Sequence, residues 1–254
     1  MLRYRKFVAT VVAVFALGTT FGCATSAEVD PWEKTNRKVF AFNEGLDDYV
    51  LVPVATGWDF VLPNFAQTGI RNAFDHVNRP VVMVHNLLQA KPNDAGVDLA
   101  RFVINTLLGF GGLVDVASMK GVPDNDEDWG QTLGVWGVPR GPYVMLPFFG
   151  PSTPRQTAGL AMDSSSAPYS YFIPFWWSFA TTGTRLINTR AFYLEEIEQS
   201  RKDAFDYYIF VRAAYLDNLA SKMNDGAAPT SEDEDDLYYF DDVEEYDEGP
   251  IDGE

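Results

Sequence analysis

The sequence predicts an all-α protein, and three observations carry that expectation. Apolar residues recur at spacings of three and four along most of positions 30–223. Helix-start and helix-stop signals bracket those stretches. No run alternates apolar and polar residues for long enough to predict a strand. A length of 254 residues allows one large domain or two small ones, and 46 % hydrophobic content with 15 % aromatic residues is ample for a core. The formal net charge of −17 argues against nucleic-acid binding, because phosphates repel so acidic a chain.

Residues 1–22, MLRYRKFVATVVAVFALGTTFG, have the layout of a secretory signal. Arg3, Arg5 and Lys6 form a positive start, and a short apolar run follows. That run is roughly half of the ~20 residues a spanning helix needs. The sole cysteine, Cys23, comes next. Gly22-Cys23 resembles the end of a bacterial lipobox, with Thr20 and Phe21 departing from the usual residues, so Cys23 is the expected lipidation site. The alternative is a soluble secreted protein with a free thiol. Residues 23–29 form a lipidated linker. At ~3.5 Å per residue it reaches at most about 25 Å, which holds the body against its membrane.

The helical body is predicted over 30–223. Asp30-Pro31-Trp32-Glu33 reads as a helix start, with a capping Asp, Pro at the first position and Glu three after the cap. Val39, Phe42 and Leu46 then share one face. A second helix is expected over 63–74 with Arg71 near its end, and a third opens at Arg79-Pro80. A fourth, 93–108, places Leu99, Phe102, Val103, Thr106 and Leu107 on its buried stripe. Gly109, Gly111 and Gly112 end it. The P-loop Lys-Ser/Thr is missing, so these glycines read as a helix cap with close packing.

Residues 127–155, EDWGQTLGVWGVPRGPYVMLPFFGPSTPR, hold the densest mixture of glycine, proline and aromatic residues. Neither helical nor strand period is visible there, which predicts rigid turns. Residues 168–183, PYSYFIPFWWSFATTG, are the most aromatic segment. The apolar part is too short and proline-broken to span a bilayer. Trp and Tyr favour the headgroup level, so Tyr171, Phe172, Phe175, Trp176 and Trp177 are candidate membrane contacts; a buried aromatic core is the alternative. Closing helices are expected over 185–199 and 202–223, the second with Phe205, Tyr208, Ile209, Arg212 and Leu216 as its core stripe. Residues 224–254 are predicted to be a disordered acidic tail, since 225–254 carries fourteen Asp or Glu and no Lys or Arg.

Catalytic equipment is thin. His76 and His85 are the only histidines, and elbow, zincin and Cys-x-x-Cys motifs are absent. Asp94 and Asp98 lie four apart, and Asp124, Asp126, Glu127 and Asp128 cluster; both groups read as solvated acids, with a loose calcium loop as the alternative for the second. A phospholipase would need Ser152 or Ser164–Ser166 beside a histidine. The expectation is no enzyme, no cofactor and no metal.

Three stretches resemble a known family. The 129–155 run is similar to the pattern FGQTLGxWGVxxGPYxxLPxxGPSxxR of the MlaA (VacJ) outer-membrane lipoproteins, with Trp129 in place of Phe and Gln156 in place of the following Asp. RFVINTLLGFGGLVDVAS matches at Arg101, Asn105, Gly109, Gly111, Gly112 and Asp115, and DPWEKTNRKVFAFN matches at the start of the body; together the resemblance covers roughly 30–215. It implies a single-domain helical ring in the inner leaflet of the outer membrane, with a central amphipathic channel. It further implies removal of phospholipids mislocalised in the outer leaflet, handover to a periplasmic MlaC-like carrier, and a trimeric porin as partner. On this reading Gly141, Pro142, Tyr143, Pro147, Gly150 and Pro151 form a loop controlling the channel, a rigid packed turn being the alternative. Arg71, Arg79, Arg101 and Arg155 are candidate headgroup contacts, because guanidinium pairs with phosphate bidentately; internal salt bridges are the alternative. A structural lipoprotein without transport is the competing class.

Overall fold

The computed structural model describes residues 29–166 and 175–225. The expected signal, Cys23, the tail beyond 225, Tyr171 and Phe172 lie outside them. Phe175, Trp176 and Trp177 are described as backbone only.

Helix α1 (Glu33–Leu46) passes through a five-residue π turn, Asp47–Leu51, into α2 (Val52–Val61). The start of α1 departs from expectation, since Trp32 is its N-cap and no side chain caps it. Asp30 is used elsewhere: Oδ1 accepts from Asn36 Nδ2 at 2.7 Å, while Oδ2 accepts from the Tyr208 hydroxyl and from Arg212. One carboxylate therefore ties the start of the body to its last helix. The π turn brings Asp47 and Asp48 to one side, where Arg190 grips Asp47 through two hydrogen bonds of 2.9 Å and Arg201 reaches both.

Next comes α3 (Asn64–Leu88), a 25-residue helix where the sequence predicts two. Pro80 sits inside it. A proline in a helix interior costs about 3 kcal/mol in lost hydrogen bonding and ring clash, so packing must hold the helix through it. α4 (Pro92–Leu107) runs alongside and supplies that packing, and buried Arg79, directly before the proline, is pinned to Asp98 on α4. After α4, Gly109 and Gly112 admit no side chain: a Cβ on Gly109 would meet the Val114 carbonyl at 2.2 Å, and one on Gly112 would meet the His76 ring at 2.3 Å. A one-turn α5 (Val116–Met119) follows, capped by Asp115.

The 127–155 stretch is not all turns. It contains α6 (Trp129–Val135), capped by Asp128 accepting from Gln131 N–H, and an antiparallel hairpin, β1 (Val144–Leu146) with β2 (Gly150–Ser152). Its glycines have two uses. Gly130 lets α6 press against α7 (Pro154–Ser166), since a Cβ there would land on Gln156. Gly141 and Gly150 instead adopt positive φ, at 74° and 79°. Strands of three residues are too short to leave an alternating pattern in the sequence.

α8 (Phe175–Phe192), α9 (Leu194–Asp203) and α10 (Tyr207–Met223) complete the fold. The predicted 185–199 helix is divided at Tyr193, and its first part begins ten residues earlier. Asp206 caps α10 by accepting from Ile209 N–H, which moves that start from 202 to 207. α8 packs on α2 and α3; α10 packs on α6 and β2. Tyr143, Met145, Tyr208 and Leu216 form the one apolar cluster of note among the described residues. Phe205 stands fully exposed outside it, against expectation.

Candidate functional site

α4 has its two faces reversed relative to a soluble helix. Most of the stripe predicted to be buried points outward: Leu99, Val103 and Leu107 are 51 %, 44 % and 74 % exposed, while Phe102 is half-buried against His76. The inward face is Ala95, Asp98, Arg101 and Asn105. The same inversion recurs elsewhere. Phe60, Phe65, Phe110, Phe148 and Phe149 are exposed, while buried polar side chains outnumber buried apolar ones among the described residues. An apolar exterior this extensive marks a surface that meets another apolar phase. No helix among the described residues is long and apolar enough to cross a membrane.

Most polar side chains inside are paired, although Nε of both Arg101 and Arg155 meets no acceptor among the described residues. Arg79 binds Asp98 at 3.1 Å, Asp124 at 2.8 Å and the Asn125 carbonyl at 2.9 Å. Arg101 donates to the Val122 and Pro123 carbonyls, to Asp115 at 2.8 Å and to Ser118. Hydrogen bonds from Ser118 and Asn105 and the charge of Arg101 outweigh burial at Asp115 and hold its pKa down to about 2. Arg155 is buried, donates to the Val138 carbonyl, and burial lowers its pKa. Asp98 and Glu127 are buried, contrary to the expectation of solvated acids, whereas Asp124 and Asp126 keep more than half of their side-chain surface exposed. Asp98 is fully buried; Asp124 faces two arginines, Asp126 faces Lys222, Glu127 holds Gln89 and Lys91, and Asp128 caps α6. No cluster of metal-ligating side chains occurs among the described residues.

Arg71 differs from the other three candidate arginines. Its guanidinium lies 4.5 Å over the Phe192 ring and forms none of the ion pairs found among the described residues. It opens onto a cavity of about 220 Å³ lined also by Phe74, Asp75, Arg185, Asn188 and Thr189. The floor is rigid, because buried Asn188 accepts from Trp58 Nε1 at 3.1 Å and donates to the Gln67 carbonyl at 3.0 Å. Arg185 reaches Asp75 at only 3.5 Å, with both half-exposed. Burial pushes the Asp75 carboxyl above the usual range; Asp126 and Asp124 add to that, while Arg185 and Arg79 oppose it. Two guanidiniums facing one carboxylate leave this cavity net positive beside an aromatic wall, which suits an anionic head on an apolar body. Sequence reasoning passed over Asp75, Arg185 and Asn188. A signal existed for Asp75, since Arg71, Asp75 and Arg79 follow one another at spacings of four, on one helix face.

Of the six residues of the expected channel loop, Pro147, Gly150 and Pro151 lie in the hairpin and Gly141, Pro142 and Tyr143 lead into it. The base of the hairpin is clamped by α1: Asn36 donates to the Tyr143 carbonyl and accepts from Met145 N–H, and Asn43 repeats this with Leu146 and Phe148. The two asparagines are seven residues, two helical turns, apart. They satisfy the strand edge that would otherwise be open. Tyr143 is buried in the core cluster, whereas Phe148 and Phe149 project from the tip, Phe148 against Phe42 at 5.3 Å.

Thr132, His85 and Asp163 stand in line, the pattern of a hydrolytic triad. His85 Nδ1 is 2.9 Å from Thr132 Oγ1, and His85 Nε2 is 3.7 Å from Asp163. The protons run the wrong way for catalysis. With Thr132 donating its only hydroxyl proton to the Asp128 carbonyl and accepting from Gln89, His85 in the Nδ1–H tautomer donates to Thr132 and is not its base. Thr132 is also fully buried. His76, the other histidine, is stacked on Phe102. Ser152 exchanges a hydrogen bond with Thr157 and has no histidine partner among the described residues.

A sequence model of MlaA lipoproteins matches residues 28–222. The intermembrane phospholipid transport system lipoprotein MlaA of Shigella flexneri is 36 % identical over 249 residues, 93 % of this chain and 98 % of that protein. Its namesake in Haemophilus influenzae is 35 % identical over 221 residues, 81 % and 86 % of the two chains. A solved structure concerning the structural basis for maintenance of bacterial outer membrane lipid asymmetry aligns with a TM-score of 0.66 at 38 % identity, covering 75 % of this chain and 97 % of its own. Helices that turn their apolar faces outward thus coincide with family-wide similarity over nearly all the described residues, and the chain belongs to the MlaA lipoprotein family.

Proposed function

We propose that this protein is an outer-membrane lipoprotein that takes phospholipids from the outer leaflet, passes them through its own body and hands them to a periplasmic lipid carrier. The reading follows the relatives, named as lipoproteins of an intermembrane phospholipid transport system. The observation that carries it for this chain is the combination of an apolar exterior with the cation-lined cavity at Arg71. The exterior seats the body in one leaflet as a ring, without a spanning helix. The cavity receives the phosphate at Arg71 and Arg185 while Phe74 meets the glycerol and acyl region. Arg79, Arg101 and Arg155 serve as scaffold, their guanidiniums already engaged by carboxylates or backbone carbonyls. Cys23 carries the acyl anchor, and the 168–183 aromatic residues meet lipid. The Phe148–Phe149 tip of the hairpin rests in the apolar phase while its clamped base stays fixed, so any control of the channel is exerted from the tip. A trimeric porin holds the ring in place. The buried Thr132 hydroxyl favours transport over hydrolysis.

The test is the amount of phospholipid in the outer leaflet, read with a membrane-impermeant amine label on cells with and without the gene. Deletion should raise labelling. Wild type should restore it, and a chain carrying Arg71→Gln with Arg185→Gln should not, although it is present in the membrane at normal level. Labelling unchanged by deletion would overturn inward transport.

A further inference from the structure

Asp75 lines two cavities at once. On one side is the Arg71–Arg185 cavity; on the other is a polar cleft of about 20 Å³ lined by Asp75, Asp115, Asp124, Arg79, Arg101 and the His76–Phe102 pair among others. Their charges are opposite. The first sets two guanidiniums against one carboxylate. The second sets three carboxylates, the shared Asp75 among them, against two guanidiniums whose terminal nitrogens are taken by Asp98, Asp115, Asp124 and backbone carbonyls, so its negative charge rests on Asp75. His76 adds no positive charge near neutral pH, since burial and Arg79 lower its pKa. Asp124 stays more than half exposed beside its arginines, and Asp75 is nearly half exposed with one long ion pair. A positive pocket adjoining a negative cleft, with a shared carboxylate between them, mirrors a phosphate joined by a short linker to an ammonium.

We propose that these adjoining cavities form a headgroup receptor selective for zwitterionic phospholipids bearing a primary ammonium. Arg71 and Arg185 hold the phosphate, and Asp75, seconded by Asp124, holds the ammonium. This rests on the phospholipid-transport reading above. Size sets the finer choice: about 20 Å³ takes one water-sized group, which an –NH3+ matches and a trimethylammonium exceeds. The three protons of a primary ammonium also find acceptors on Asp75 and Asp124, which a quaternary head cannot use. An uncharged glycerol head leaves Asp75 facing the lipid phosphate with no cation between them.

The full chain, purified in detergent, is equilibrated with vesicles holding equal amounts of phosphatidylethanolamine, phosphatidylcholine and phosphatidylglycerol with identical acyl chains. It is then repurified, and bound lipid is measured by mass spectrometry. Wild type should retain the ethanolamine lipid about tenfold over either competitor, the size of one charge-assisted hydrogen bond. Asp75→Asn should retain phospholipid without that preference, and Asp75→Glu should keep part of it. Arg71→Gln should lower retention of all three classes together. Wild type retaining the three lipids in mixing proportion overturns the receptor, whatever the variants do, and so does an undiminished preference in a folded Asp75→Asn chain. Wild type that retains no phospholipid overturns the transport reading itself.

Discussion

Asp163 shows how the polar interior writes itself into the pH dependence of stability. Burial, reinforced by the Asp128 carboxylate, raises its pKa from the ordinary 3.8 to about 7. The folded state therefore holds this proton more tightly than the unfolded chain. Its stabilising contribution is complete below the unfolded pKa and is lost as pH rises from about 4 to about 7. Asp163→Asn, which never ionises, should raise Tm at pH 7.5 by about 2–4 °C, the shift that about 1 kcal/mol produces in a domain of this size. The gain should vanish near pH 3, below the unfolded pKa, where the wild-type carboxyl is protonated in both states. Thermal melts of the two chains from about pH 3 to pH 7.5 read it directly; a gain that persists near pH 3 would mean the asparagine acts by packing. Asn43 offers a second case. It donates to the Leu146 carbonyl and accepts from Phe148 N–H. Asn43→Ala strands both groups at a cost of about 1–2 kcal/mol. Amide exchange at Phe148 should speed up selectively, because Asn36 still clamps the strand below it.

At the scale of the element, α4 shows what the sequence disclosed and what it hid. Its period and extent were legible: 93–108 was expected and Pro92–Leu107 is found. The identity of the inner face was not. A periodic pattern separates two faces but says nothing of the phase outside, and the usual assumption of water assigns Leu99, Val103 and Leu107 to the core. The structure buries Asp98, Arg101 and Asn105 instead. The mutational hierarchy of a soluble helix should accordingly be reversed in detergent. Leu107→Gln, at an exposed position, should change stability by no more than about 0.5 kcal/mol. Asp98→Ala removes the buried one of Arg79's two carboxylates, leaving exposed Asp124, and strands the Asn86 amide; it should cost about 3 kcal/mol, the low end for a broken buried pair. Chemical denaturation of both variants in the same micelle decides the order; a larger loss for Leu107→Gln would return α4 to conventional packing. Elements shorter than α4 were less legible. α6 and the hairpin were concealed because Gly130 and Gly134 serve helix contact while Gly141 and Gly150 serve turns, and composition alone does not tell those uses apart. α3 was divided because Pro80 is a local stop signal that tertiary packing overrides.

For the molecule as a whole, the question is whether the proposed acyl anchor or the protein body would hold it to lipid. One acyl chain alone gives only marginal, reversible membrane binding, and firm attachment needs a second signal. The body supplies one. Fully burying a leucine- or valine-sized side chain contributes about 1.5–3 kcal/mol, and Leu99, Val103 and Leu107 together offer about half of that per residue on α4 alone. Phe60, Phe65, Phe110, Phe148 and Phe149 add aromatic area on other elements. On the proposed reading, the exposed apolar faces would add to the acyl chains at Cys23: the chains would deliver the protein to its membrane, and the faces would retain it there even without them. The arginine-lined cavity would then need no closure around lipid for the body to stay bound. The mature chain with Cys23→Ser, purified in detergent and diluted into vesicles, should therefore float with them in a density gradient. Adding Leu99→Glu, Val103→Glu and Leu107→Glu should leave most of it at the bottom while its circular dichroism stays unchanged. If the Cys23→Ser chain itself stays at the bottom, the acyl chains carry the attachment and the outward apolar faces must meet a protein partner instead.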